Sequence, residues 1–383
     1  MAFDLVLFGD KLRRYRQQFA MSLADVSSGT GITVSELSNF ESGTLEPTGD
    51  QVLVLADFFK CDYKFFISNE KLAPFEQTET LFRAHGDVLS QHDRLAIQEF
   101  LYLCECEEYL EVELGRKSRS TFSFTPTGNF YKKHGVDAAH ALRQHLGHDF
   151  KKVGLNVYSE FRSIGIHVFR RQLENSTISG LFIRHPVAKN CVLVNYSEDV
   201  FRQRFTAAHE AGHALLDTGK DVNISFNGKW DQNDLVEIRA NAFASEFLMP
   251  TDFLKGIPSP RSWDQLKIVE WSKRLRVSTP ALSNALLKSK FIGSKQANEL
   301  RKAKTPREAK EDPELPESLS THAREGKITM LQRGLSSYYV ELCFDAYEQG
   351  IISAARAAEM LLTTTRDLEA LAGMFKRSLS YEH

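Results

Sequence analysis

The run FTAAHEAGHALLD at 205–217 sets two histidines four residues apart, with a glutamate directly after the first. On a helix, positions four apart share a face, so His209 and His213 can meet one divalent ion while Glu210 lies beside it, placed to take a proton from water. The pattern points to metal-assisted hydrolysis, and Phe205, Ala208, Leu215 and Leu216 mark an apolar side that could bury the helix. Catalytic zinc takes three protein ligands and keeps one position open, so a further ligand must come from another segment. Glu237 is favoured, because its face also carries Ala240, Asn241 and Ala244, small enough for close helix packing. Glu246, among Phe243, Phe247 and Leu248, is expected as the solvated partner of a nearby base. Asp217 and Asp234 are lesser ligand candidates, equally suited to steadying an imidazole from behind. Hydrolysis also needs a donor to the developing oxyanion, for which Tyr196, His185 and Asn195 are the candidates.

Several elements must position these groups. The runs 179–184 and 191–195, divided by a turn at His185-Pro186, predict a hairpin, preceded by a strand at 164–169. An extended substrate is expected to pair with the edge of that hairpin. Helices are expected at 201–217 and 233–249, the second stopped by Pro250, with a smaller helical pair within 263–287. A long helix spans 90–114, a Ser/Thr-rich loop 116–130, and another helix 138–146. Residues 293–320, dense in charge and holding Pro306, Pro313 and Pro316, read as a linker to further amphipathic helices at 335–350, 353–361 and 365–375.

Near the N-terminus, Phe8, Leu12, Tyr15 and Phe19 form an apolar stripe at helical spacing. Ser22 with Asp25 and Thr33 with Glu36 are spaced as capping boxes, each opening a short helix around a turn at 29–32. Two short helices joined by a glycine-bearing turn predict a helix-turn-helix.

The chain of 383 residues carries 48 Lys+Arg against 50 Asp+Glu, so no overall positive field argues for nucleic acid. Its 5 cysteines are odd in number and scattered, which fits a reducing compartment rather than a disulfide framework. Acidic Asp4 and Asp10 interrupt the apolar N-terminus, and no run reaches the length of a membrane span, so a cytoplasmic protein is expected.

FTAAHEAGHALLD, followed by EIRANAFASEFLMP at 237–250, resembles the ImmA/IrrE family of zinc metallopeptidases, whose hallmark is an H-E-x-x-H helix and an E-x-x-A-N-x-F-A helix ending in L-M-P. The resemblance covers roughly 140 to 292. It implies that His209, His213 and Glu237 bind Zn2+, that Glu210 is the general base, and that a repressor-like regulatory protein is cleaved in a stress, phage or mobile-element response. Residues 9–66 resemble the Cro-like helix-turn-helix of the XRE family, which makes Thr33 to Phe40 the recognition helix. The expected fold is therefore α+β and mostly α. A helix-turn-helix at 1–70 leads through a helical connector at 71–139 to a zincin-like core with a small sheet at 140–292. The linker at 293–320 and a helical domain at 321–383 complete it.

On the recognition helix Thr33, Ser35, Glu36, Ser38 and Asn39 are the exposed candidates, with Val34 and Leu37 expected in the core. Asn39 could read adenine, and Ser22 and Thr33 could help hold phosphate. Residues 1–66 carry six Lys/Arg against nine Asp/Glu, so duplex binding is expected to need a dimer that gathers Arg13, Arg14 and Arg16 into one patch. The same unit could act as a dimerisation or repressor-docking module, or let single-stranded DNA activate the peptidase. The alternative for the whole chain is a DNA-binding regulator of a toxin-antitoxin-like pair with a structural or rarely active zinc site.

Overall fold

The computed structural model describes residues 3–68, 78–79, 81–82, 85–116, 122–148, 153–154, 156–219, 221–226 and 234–379. By its contacts the chain divides into two units, Met1–Leu103 with Leu173–Asn175, and Cys104–Gln172 with Ser176–His383. The boundary falls within the helix Gln91–Glu113.

In the first unit, helices Leu5–Gln18, Leu23–Thr30, Val34–Glu41, Gly49–Phe58 and Tyr63–Ile67 close over an aromatic core. The ring of buried Tyr15 lies between 5.2 and 6.1 Å from those of Phe19, Phe59, Phe65 and Phe66. Both expected capping boxes form, and each satisfies backbone N–H groups that the first helical turn would otherwise leave open. Gly31, at φ +73°, ends the helix before the turn in the left-handed region, where a side chain would be strained.

The second unit is built on a four-stranded sheet, β1 (Ile166–Arg171), β2 (Ile178–His185), β3 (Lys189–Asn195) and β4 (Val222–Phe226), in the order β1-β3-β2-β4. β2 and β3 are the expected hairpin, β1 lies parallel to β3, and β4 runs antiparallel to β2. Both hairpin strands are thus flanked on each side, which corrects the expectation that substrate pairs with their edge. Among the described residues the edge strand next to β2 is β4.

Helix Val200–Leu216 lies against this sheet because Gly180 has no side chain there. A Cβ at Gly180 would stand 2.6 Å from Thr206 Cγ2 and 3.3 Å from Glu210 Cγ. Helix Leu235–Leu248 approaches the same helix at Gly212, where a Cβ would meet Phe243 Cδ1 at 3.1 Å. Helix Tyr131–His145 approaches it in turn through Gly135, where a Cβ would stand 2.2 Å from the Arg239 carbonyl oxygen.

The stretch 293–320, expected as a linker, is instead packed. It forms the helix Ser294–Leu300, buries Ala297, Leu300 and Ala303 in the core, and places Asp312 2.6 Å from Arg170 in a buried ion pair. Three small or aliphatic residues at intervals of three, set among charges, do this without altering the polar composition. Among the described residues no helix is long and apolar enough to cross a membrane.

Candidate metal centre

His209 and His213 are one turn apart on helix Val200–Leu216, and Glu237 is in the first turn of helix Leu235–Leu248. The approach of these helices brings one ligand atom from each of the three residues within 4.8 Å of one another. His209 Nε2 is 3.0 Å from His213 Nε2 and 3.2 Å from Glu237 Oε2, while His213 Nε2 is 3.2 Å from Glu237 Oε1. Two imidazole nitrogens and a carboxylate converging in this way are a donor set that fits a divalent ion such as zinc.

Charges around the cluster agree with cation binding. Burial alone would raise the Glu237 carboxyl, yet its bonds to His209 and His213 hold it well below the usual carboxylate range. For His213, burial opposes the charged form, but Asp217 and Glu237 raise its pKa to about 10. A divalent cation would replace that proton as the positive charge these carboxylates face.

Glu210 is fully buried, and the hydroxyl that faces its carboxylate is that of Ser225 on β4. Burial pushes its carboxyl pKa up, and the neighbouring imidazoles and the Ser225 hydroxyl pull it back. Burial disfavours the ionised carboxylate, so the arrangement suits a group that receives a proton during a reaction.

Behind His213, Asp217 Oδ2 accepts from Nδ1 at 2.6 Å, and Asp217 Oδ1 accepts from Arg239. The guanidinium of Arg239 lies 5.0 Å from the centre of the Tyr131 ring. Asp217 is therefore turned to the far side of the imidazole from the ligand atoms. Asp234 caps helix Leu235–Leu248, accepting from the N–H groups of Val236 and Glu237. Glu246 does partner a base, His140 at 2.7 Å, but it is buried rather than solvated and also holds Thr251.

The three expected oxyanion donors are engaged elsewhere. Asn195 donates to the Ile178 carbonyl at 2.8 Å and accepts from Ser197, which locks the end of the hairpin. His185 Nδ1 accepts from the N–H groups of Val187 and Ala188 in the hairpin turn, and its Nε2 stands 3.2 Å from Glu105. Tyr196 faces the buried pair of Arg170 and Asp312, with the guanidinium 5.6 Å from its ring.

What the sequence reading missed is β4. Its five residues alternate apolar Val222, Ile224 and Phe226 with Asn223 and Ser225, a period-two signal too short to stand out. Asn223 Nδ2 lies 3.5 Å from Glu237 Oε1.

In the first unit, Ser35, Ser38 and Asn39 are exposed as expected. Val34, the first residue of its helix, is exposed too, at 45%, against the expectation of a core position, while Leu37 is buried as expected. Ser22 and Thr33 hydroxyls bond to the Asp25 and Glu36 carboxylates at 2.7 and 2.6 Å, so each helix N-terminus already carries an anion. The arginines do not gather into one free patch. Arg16 pairs with Glu41 at 2.6 Å, Arg13 with Glu41 and Asp10, and Arg14 with Glu79.

Comparison with known families matches residues 161–287 to the IrrE N-terminal-like domain and residues 12–66 to a helix-turn-helix. A curated relative, the radiation response metalloprotease IrrE of Deinococcus radiodurans, is 31% identical over 101 residues, covering 25% of this chain and 30% of that protein. The chain thus spans less than a third of that relative's length. Residues 161–287, which hold the cluster described above, are thus similar to the IrrE N-terminal-like domain, and residues 12–66 ahead of them are similar to a helix-turn-helix.

Proposed function

We propose that this protein is a zinc-dependent endopeptidase that cleaves a regulatory protein of the repressor kind in a stress, phage or mobile-element response within the cytoplasm. The observation that carries the reading is the convergence of His209, His213 and Glu237 beside the fully buried carboxylate of Glu210. His209 and His213 would hold the metal through Nε2, and Glu237 through its carboxylate. When bound, zinc acidifies water and polarises the carbonyl under attack. Glu210 accepts the proton of the attacking water at a carboxylate oxygen and returns it to the leaving nitrogen. Asp217 keeps the His213 proton on Nδ1, leaving Nε2 free to ligate.

The helix-turn-helix favours duplex DNA as a second partner, met by Val34, Ser35, Ser38 and Asn39 on its exposed recognition face. The test of the peptidase reading needs no known substrate. Protein N-termini are catalogued in the cells that make the protein, with the wild type and with Glu210→Gln. The reading expects new N-termini that require Glu210 and trace to a DNA-binding regulator; identical catalogues would remove it.

A further inference from the structure

We infer that Asn223, on the edge strand β4, is the residue that donates a hydrogen bond to the oxygen of the peptide carbonyl under attack. This rests on the peptidase reading and fills the role for which Tyr196, His185 and Asn195 are not free. Three observations carry it. The Asn223 amide nitrogen is 3.5 Å from Glu237 Oε1, at the rim of the cluster and at the limit of a hydrogen bond, so little is lost when it turns to another acceptor.

Register supplies the second. Ser225 is paired with Gly180, and the Cβ direction of Gly180 leads to Glu210 Cγ at 3.3 Å. Ser225 therefore faces Glu210, and its hydroxyl oxygen is buried there. Residues two apart on a strand share a face, so Asn223 is turned to the same side, next to Glu237 as Ser225 is next to Glu210. The third is topology. Among the described residues β4 pairs with β2 alone, and no strand lies along its other edge. A peptide added along that edge would run past both side chains, with its carbonyl between the proton acceptor and an amide N–H.

Acetohydroxamate tests the assignment without a known substrate, since it binds an open zinc position and presents a carbonyl oxygen there. Zinc content, thermal unfolding and acetohydroxamate affinity are measured for the wild type, Asn223→Ala and Asn223→Gln. All three should hold equal zinc and unfold alike, with affinity falling about tenfold or more in Asn223→Ala and partly restored in Asn223→Gln. Wild-type protein without zinc would refute the peptidase reading itself. Zinc-loaded wild type that ignores the probe, Asn223→Ala that binds it within twofold of wild type, or Asn223→Ala that loses zinc or stability would each overturn the role of Asn223 alone.

Discussion

Removing the carboxylate behind His213 should cost the metal site most of what a ligand's supporting shell contributes. In Asp217→Asn, the side chain keeps its shape but offers one acceptor and one donor where Asp217 offered two acceptors. His213 Nδ1 needs an acceptor at 2.6 Å, and Arg239 needs one on the other oxygen. Asparagine can satisfy only one of them. If its oxygen faces Arg239, its amide faces Nδ1 and drives the imidazole proton to Nε2, the atom that lies 3.2 Å from Glu237 and must ligate. If its oxygen faces His213, the tautomer survives, but Arg239, with a side chain only 11% exposed, meets a donor. Supporting carboxylates of this kind are worth roughly 10- to 100-fold in metal affinity, or about 1.4–2.7 kcal/mol. The assay is competition for zinc against a chromophoric chelator. Zinc affinity within twofold of wild type in Asp217→Asn would refute this account of how His213 is oriented.

Other perturbations have defined outcomes. Burial opposes the charged form of His167, but hydrogen bonds to Glu107 and Glu108 raise its pKa to about 9. The folded state then holds a proton that the unfolded state releases above about 6.5, so stability is full below that pH and is lost as pH rises toward 9. Melting temperature should fall across this window, and His167→Asn should flatten the fall. Gly180→Ala should destabilise by about 1–3 kcal/mol in denaturant titration, because the new methyl meets Thr206 and the Leu193 carbonyl. Glu41→Ala leaves Arg16 without the partner at 2.6 Å and should destabilise the helix-turn-helix by about 1–3 kcal/mol, where an unchanged midpoint would show the pair to be idle. If the N-terminal unit binds duplex DNA, its affinity should depend weakly on salt, with a slope of about −3 or shallower against log salt, since Arg13, Arg14 and Arg16 already face carboxylates. A slope steeper than about −5 would show that these pairs open on DNA.

The parts legible in the sequence are those whose signal is local. Capping boxes at Ser22 and Thr33, the hairpin turn at His185-Pro186 and the four-residue histidine spacing each lie within a few residues of the groups they bring together. What escaped depends on distant pairing. β4 adds to β2 across some forty residues of chain, so its edge, and Asn223 with it, had no local mark beyond five alternating residues. Nothing local in the sequence chooses among the oxyanion candidates, and the fold places Asn195 and His185 in hydrogen bonds of the hairpin and Tyr196 beside a buried ion pair. Charge was misleading in both directions: 293–320 packs despite its composition, and the arginines of the first helix serve Glu41 and Glu79 before any phosphate.

Metal content of the purified protein tests the central claim most directly. Wild-type protein, His209→Ala and Glu237→Ala are prepared alike and their bound metals measured by mass spectrometry. The account predicts about one zinc per wild-type chain and little in either variant, with all three still folded. Wild-type protein free of zinc, or variants as full of it as the wild type, would contradict it.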